Sequence, residues 1–447
     1  MRRYLLAILC WMMVSVAYAD EAALHFLTLA DIHFDPFIAC HNTVPCPLIK
    51  QLQHAPASAW PALLAKYDID PPQYKQDSNY PLLISALSAA KQAAAKEDAK
   101  FVIVLGDFLG HNYRKYYKKY SGDQTMAGYQ AFVKKTLSFL TDQLANTFPS
   151  LNVYSVVGNN DSYQGDYASD PNGKFFKDTA MIWSRLIKEK NNRAGMLHTF
   201  PIGGYYAVDI PSFHARLIVL NTVLFSSKAD GEEGAAAAEL NWLHNELTAV
   251  KMKHQKAMIA MHIPAGIDVY ATLKLRLFRL IELWKPEDTN RFEAELKHFS
   301  PQIVGIFAGH LHSDWFQVLT FNNVDRIPVT GTPSISPIIG NNPGFKIYTY
   351  LPASQQIETF ETYYYPLNQR KMWGVEYHFK GIYQTNCDHC SIVSGMGALQ
   401  ATGSLADYYK QFYAVGTASQ PITTQWDPYY WCAIRKIQAK EYKECVK

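Results

Sequence analysis

Five short, apolar and β-branched stretches of this chain stop abruptly at residues that bind metals. Residues 24–30 run into Asp31-Ile32-His33, and 101–105 run into Gly106-Asp107. Residues 152–157 run into Gly158-Asn159-Asn160-Asp161, 256–261 into His262, and 302–308 into Gly309-His310-Leu311-His312. Such runs, with sharp polar ends, predict buried strands. Helical periodicity between them, over 82–96, 126–144, 235–251 and 291–298, predicts a layered α/β core. Side chains at the carboxyl ends of strands in an open α/β sheet converge at one edge. A lone Asp-x-His is ordinarily a capped turn and a lone His a hydrogen-bonded residue. Five such endings, each after a strand, predict one shared site.

The residue types fit a pair of cations. A carboxylate such as Asp107 can bridge two metals, while imidazoles and an amide oxygen complete the coordination without excess negative charge. Nitrogen and oxygen donors of this kind suit zinc, manganese or iron better than magnesium or calcium. Gly106, Gly158 and Gly309 are expected to permit tight turns that point the following ligand inward.

Composition supports a large core. Of 447 residues, 48% are hydrophobic and 18% charged, below the roughly 25% charged of an average soluble domain. This balance excludes a disordered or fibrous chain. The formal charge of +3 gives no electrostatic footprint for nucleic acid, so no sequence-specific nucleic-acid partner is expected.

At the amino terminus, Arg2-Arg3, an apolar run over 4–16 and Ala17-Tyr18-Ala19 read as a signal peptide cleaved after Ala19, which predicts a secreted or periplasmic protein. A membrane anchor would need about 20 apolar residues. Six cysteines lie beyond that segment, as the near pairs Cys40 and Cys46, Cys387 and Cys390, and Cys432 and Cys445. Disulfides suit an exported chain, while Cys387-Asp388-His389-Cys390 also has zinc-ligand spacing. After His312, strands are expected at 315–320, 327–330 and 345–350, followed by a loop-rich region. The expected division is 1–19 signal peptide, 20–352 main domain and 353–447 C-terminal subdomain bearing two disulfides.

The ordered series Asp-x-His, Gly-Asp, Gly-Asn-x-Asp, His, Gly-His-x-His over 31–312 resembles the calcineurin-like metallophosphoesterase superfamily. Gly106 to His111, Gly203-Gly204-Tyr205-Tyr206, Leu220-Asn221-Thr222, His262-Ile263-Pro264 and Thr332 to Phe345 resemble the acid sphingomyelinase-like phosphodiesterases. The resemblance implies a four-layer α/β fold, a β-sandwich flanked by helices, and two divalent cations, zinc first among them. It implies that Asp31, His33, Asp107 and His312 hold one cation and that Asp107, Asn159, His262 and His310 hold the other. It further implies in-line attack of a metal-bridging hydroxide on phosphorus, with His111 contacting phosphate or leaving group.

One position departs from the pattern. Where the family carries Gly-Asn-His, this chain has Asn160, a poor proton donor. A lipid alkoxide leaves badly without an acid, whereas an anhydride leaving group is already stabilised. Gly-Asn-Asn-Asp resembles the motif of endopolyphosphatases, so the expected substrates are nucleotides or polyphosphate, with a phospholipid head group such as sphingomyelin's as the alternative and a non-catalytic phosphate-binding protein as another. The strip Tyr113-Arg114-Lys115-Tyr116-Tyr117-Lys118-Lys119-Tyr120 can hold phosphates and stack a base, or form a solvated helical face or a membrane-surface contact. The chain is expected to act as a monomer.

Overall fold

The computed structural model describes residues 22–447, apart from 68–69, 230, 232, 276–278, 322–324, 370–371, 385–386, 388–389 and 417–421. The segment read as a signal peptide, 1–19, and His389 lie outside the described residues.

Among the described residues the strands are β1 Leu24–Leu29, β2 Ala99–Val104, β3 Asn152–Ser155, β4 Tyr206–Ile210, β5 Ala215–Val219 and β6 Lys256–Ala260. They continue with β7 Ile303–Ala308, β8 Phe316–Phe321, β9 Asp325–Gly331, β10 Gly344–Leu351, β11 Gln356–Tyr364 and β12 Gly374–His378. They form two sheets, ordered β12-β11-β10-β1-β2-β3 and β4-β5-β6-β7-β9-β8. In the first sheet β1, β2 and β3 run parallel; in the second β5, β6, β7 and β9 do. Every strand that ends at an expected ligand belongs to one of these parallel blocks, which is why their carboxyl ends emerge together.

The sheets meet through aromatic side chains. Phe26 of β1 stacks on Tyr348 of β10 at 4.9 Å and meets Phe307 of β7 edge-on at 5.2 Å. All three are buried, and each contributes roughly 1.5–3 kcal/mol by burial. Helices cover the outer faces. Tyr80–Lys96 starts where the Asn79 side chain accepts the Leu82 N–H and presents Leu83, Ala86, Leu87, Ala90 and Ala94 as one apolar stripe. The α/β sandwich expected from the sequence is therefore the observed fold.

Two parts differ from the sequence reading. The antiparallel pair β4 and β5 was absent from it. The region after 352 is not loop-rich: β11 and β12 extend the first sheet, and helices Ile392–Ala398, Ser404–Tyr413, Asp427–Ala433 and Ala439–Val446 follow. Charged and polar residues alternate with buried ones in β11, a pattern that gives no continuous apolar run. The cysteines pair as Cys40–Cys46, Cys387–Cys390 and Cys432–Cys445, so Cys387 and Cys390 are joined to each other rather than free to hold zinc. No helix among the described residues is long and apolar enough to cross a membrane.

A buried polar knot ties the C-terminal strands to the loop after β7. Lys346 Nζ on β10 lies 2.6 Å from Asp314 Oδ1, both side chains shielded from solvent. The other Asp314 oxygen accepts from Thr362 Oγ1 at 2.6 Å and Tyr377 Oη at 3.1 Å.

Candidate metal centre

The seven residues expected as ligands come together at the shared edge of the two sheets. Asp107 Oδ2 lies 3.3 Å from His33 Nε2 and 3.3 Å from His262 Nε2. His312 Nε2 lies 3.1 Å from His33 Nε2 and 3.3 Å from Asp31 Oδ1. Asn159 Oδ1 lies 3.0 Å from His262 Nε2, and the His310 ring stands edge-on to that of His262 at 5.1 Å. Asp31, His33 and His312 each offer a ligand atom within 4.8 Å of the others, as do Asp31, Asp107 and His262.

The backbone is bent to achieve this. Asp31, His33, Asp107, His310 and His312 have φ of 50°, 43°, 54°, 69° and 58°, left-handed values that side-chain-bearing residues seldom adopt and that cluster at functional sites. The loops brace one another through Asp31 N–H to Gly106 O, His33 N–H to Asp107 O, and His310 N–H to the Asp31 carboxylate. Gly106 has φ of 91°, as a tight turn requires. Gly158 is needed for a different reason: a Cβ there would sit 2.1 Å from the backbone N and Oδ1 of Asp107. Close approach, not turn geometry, excludes a side chain.

The donor set fits cations, as tautomers and lone pairs show. His33 Nδ1 faces Leu109 O at 3.1 Å and His262 Nδ1 faces Leu105 O at 2.7 Å. Each Nδ1 must carry the proton, because a carbonyl can only accept. Each Nε2 then presents a lone pair to carboxylate or amide oxygens, a repulsive contact unless positive charge lies between. Burial disfavours charge on His262, yet Asp107 outweighs it and moves its pKa up to about 9. In the absence of a cation, a proton fills that place. His33, by contrast, is pulled down to about 4, first by burial and then by His111. His310 Nδ1 and His312 Nδ1 are buried with no hydrogen-bond partner. The gap between these rings thus calls for positive charge, and the donors suit divalent cations.

His111 is partly exposed, stacked on His33 at 4.2 Å. Its Nδ1 lies 3.0 Å from Asp77 Oδ1 and its backbone N–H donates to Asp77 Oδ2 at 2.7 Å. Burial lowers its pKa, but the Asp77 hydrogen bond and charge raise it to about 9. Asn160 is buried against the Asp107 carboxylate: its backbone N–H donates to Asp107 Oδ1 at 2.8 Å and its Nδ2 to Oδ2 at 2.9 Å. The structure places it as a brace for Asp107, outside the lining of the cleft, where a leaving-group contact would put it inside.

That cleft, of about 550 Å³, opens from Asp107, His111, Asn159, His310 and His312 toward Tyr167, Lys228 and a wall from the C-terminal helices that includes Tyr409, Tyr413 and Tyr430. None of residues 113–120 lines it. The strip forms the helix Tyr113–Ser121, in which Tyr113, Tyr117 and Tyr120 turn into the core against Phe37 and Phe132. Those three rings support the fold and are not available to stack a base.

Several residues escaped the sequence reading. Asp161 accepts backbone N–H groups from Phe108, Leu109 and Gly158, joining the loops after β2 and β3; burial and then Asp107 push its carboxyl up to about 7. Asp77 lies in the loop before the helix Tyr80–Lys96, and Asp166, Tyr167 and Lys228 lie well beyond the ends of β3 and β5, so nothing in their spacing announced them.

A family model described as calcineurin-like phosphoesterase matches residues 24–314, a span that includes all seven ligand candidates. The chain is similar to cyclic GMP-AMP phosphodiesterase SMPDL3A of Rattus norvegicus, 25% identical over 456 residues covering 96% of this chain and 93% of that protein. It is also similar to acid sphingomyelinase-like phosphodiesterase 3b of Mus musculus, 24% identical over 446 residues covering 94% of this chain and 89% of that protein. Sphingomyelinase phosphodiesterase D of Dictyostelium discoideum is 27% identical over 391 residues, covering 84% of this chain and 81% of its own length.

Proposed function

Since the chain belongs to the calcineurin-like phosphoesterase family, as a metal-dependent phosphoric ester hydrolase of the acid sphingomyelinase-like kind, we propose that it is an exported enzyme that cleaves nucleotide phosphoanhydrides or phosphodiesters in preference to sphingomyelin. The observation that carries the two-cation part of this reading is Asp107 Oδ2, equidistant at 3.3 Å from His33 Nε2 and His262 Nε2, as a carboxylate shared by two cations would be; the substrate preference rests on Asn160, which is engaged by Asp107. Asp31, His33, Asp107 and His312 would hold one cation, and Asp107, Asn159, His262 and His310 the other, with zinc proposed ahead of manganese and iron. When bound, the pair supplies an acidified water and neutralises phosphoryl charge.

The chain's own residues supply the rest. Leu105 O and Leu109 O keep the Nε2 atoms of His262 and His33 bare. Asp77 anchors Nδ1 of His111, so that Nε2 is the nitrogen able to hold a proton toward the cleft. Asn160, occupied with Asp107, has no proton to give, which favours leaving groups that need little protonation. The relatives include both a cyclic GMP-AMP phosphodiesterase and a sphingomyelinase phosphodiesterase. Lys228 beside Tyr167 in the cleft supports the nucleotide side.

The test is hydrolysis of ATP, cyclic GMP-AMP and detergent-dispersed sphingomyelin by the protein from Asp20 onward with zinc supplied. Nucleotide turnover is expected at least about 10-fold faster than lipid turnover, and Asp107→Asn should lose about 10³-fold. Equal or faster turnover of sphingomyelin would refute the preference. Two bound cations with no turnover of any substrate would favour a phosphate-binding protein.

A further inference from the structure

The loop that follows Gly158-Asn159-Asn160-Asp161 returns to the site through two residues, Asp166 and Tyr167. Asn159 Nδ2 donates to Asp166 Oδ1 at 2.7 Å, and the Tyr167 N–H donates to Asn159 O at 2.9 Å. A carboxylate can only accept, so the amide atom facing Asp166 is the NH2 group. That choice turns Oδ1 toward His262 Nε2, 3.0 Å away. With the amide reversed, an NH2 group would face the cation and the site would lose a donor.

Tyr167 acts on the neighbouring ligand. Its hydroxyl oxygen lies 3.4 Å from His310 Nε2 and takes a hydrogen bond from Lys228 Nζ at 2.9 Å. The Lys228 ammonium also sits 4.3 Å from the centre of the Tyr167 ring. With Nε2–H donating to this hydroxyl, His310 Nδ1 carries no proton and is free to face a cation, and that buried atom has no hydrogen-bond partner among the described residues. Tyr167 itself has φ of 57°, so the dipeptide is held in a conformation that a free loop would rarely visit.

We propose that Asp166 and Tyr167 are the positioning residues of the second cation, Asp166 fixing which atom Asn159 presents and Tyr167, steadied by Lys228, fixing which nitrogen His310 presents. The proposal rests on the reading that Asp107, Asn159, His262 and His310 hold that cation. Neither residue would touch it. Outer partners of this type alter metal affinity by about 10- to 100-fold. Among the described residues neither Asp166 nor Tyr167 has a hydrogen bond to Asp31, His33 or His312, so the effect is expected at one of the two positions.

Two substitutions separate a hydrogen-bond role from a charge or folding role. Asp166→Asn keeps an oxygen able to accept from Asn159 Nδ2, whereas Asp166→Leu removes it. Zinc content after dialysis against graded chelator, and the visible spectrum of the cobalt-substituted full chain, report each site without reference to turnover. Wild type and Asp166→Asn are expected to retain two cations. Asp166→Leu is expected to retain one tightly and to bind the other about 10- to 100-fold more weakly, with the retained cation showing that the chain is folded. Tyr167→Phe should weaken the same cation and leave the first unchanged. Asp166→Leu binding both cations as tightly as wild type overturns the inference, as does equal weakening of both. Wild type binding fewer than two cations overturns the underlying two-cation reading instead.

Discussion

Replacing Lys346 by Met should destabilise the protein far more than its chemistry suggests. Methionine nearly matches the length of the lysine stem, so the apolar contacts of that stem survive. What disappears is the ammonium 2.6 Å from Asp314 Oδ1, which also lies 4.1 Å from the centre of the Phe360 ring. Asp314, about 1% exposed at its side chain, would be left with Thr362 and Tyr377 as its side-chain donors among the described residues. Removing one partner of a buried pair costs about 3–5 kcal/mol, because the other charge stays behind. At roughly 2.1 cal/mol/K per residue, an unfolding entropy of about 0.9 kcal/mol/K makes 4 kcal/mol a fall of about 4 °C in Tm. The double variant Lys346→Met/Asp314→Asn removes the stranded charge while keeping an acceptor for both hydroxyls. It should recover about 2 kcal/mol or more of the loss, a coupling that only interacting groups show. The assay is guanidinium and thermal unfolding followed by circular dichroism in the presence of chelator, so that cation binding does not enter. A loss under about 1 kcal/mol for Lys346→Met, or a double variant as unstable as the two single losses added together, would refute the reasoning.

Other outcomes follow from features nearer the site. Gly158→Ala forces a Cβ against Asp107 and should lower kcat/KM by about 100-fold or more, whereas Gly234→Ala, which meets nothing within 4 Å, should leave it unchanged; steady-state kinetics on both compares them directly. Glu239, fully buried and accepting the Asn221 N–H through Oε1, has a carboxyl pushed well above its ordinary value by burial. The native state then holds a proton that the unfolded chain releases above about pH 4.5, so stability should decline as pH rises from there toward the folded pKa. Glu239→Gln should flatten that decline between pH 5 and 8 in urea titrations, and an unchanged slope would count against the assignment. Replacing Lys115, Lys118 and Lys119 by Gln should leave KM for ATP within about 2-fold at low salt, because their helix lies outside the cleft; a larger rise would restore the strip as a phosphate contact.

Much of the site was legible because its ligands sit at the ends of strands that announce themselves by composition. The run Phe26-Leu27-Thr28-Leu29 and the stop at Asp31 are local signals, and parallel pairing carried them to one edge. Asp77 and Asp166 are different in kind. Each acts on a residue remote in sequence or reversed by a loop, His111 in one case and Asn159 in the other, and no periodicity encodes such a return. The basic strip left two readings open for a related reason: alternating Tyr and Lys is equally the pattern of a helix with Tyr113, Tyr117 and Tyr120 turned inward, and only packing decides. The C-terminal strands were hidden because β11 alternates polar, partly buried residues with buried ones and has no apolar run. Asn160 could be read as a missing acid, but that it props Asp107 required coordinates.

The left-handed backbone at Asp31, His33, Asp107, His310 and His312 also constrains how this protein can vary. Asp, Asn and His are the side-chain-bearing residues found several-fold more often in that region of conformational space, and they are also the residue types proposed here as cation ligands. Alanine at any of the five would remove a donor and add about 1–2 kcal/mol of backbone strain, confounding two losses in one experiment. Asparagine removes the charge or the imidazole while tolerating the turn. Neutral drift at these positions is accordingly confined to a small alphabet, and a lineage that abandoned catalysis but kept the fold would be expected to show Asn or Gly there before it showed Ala, Val or Leu.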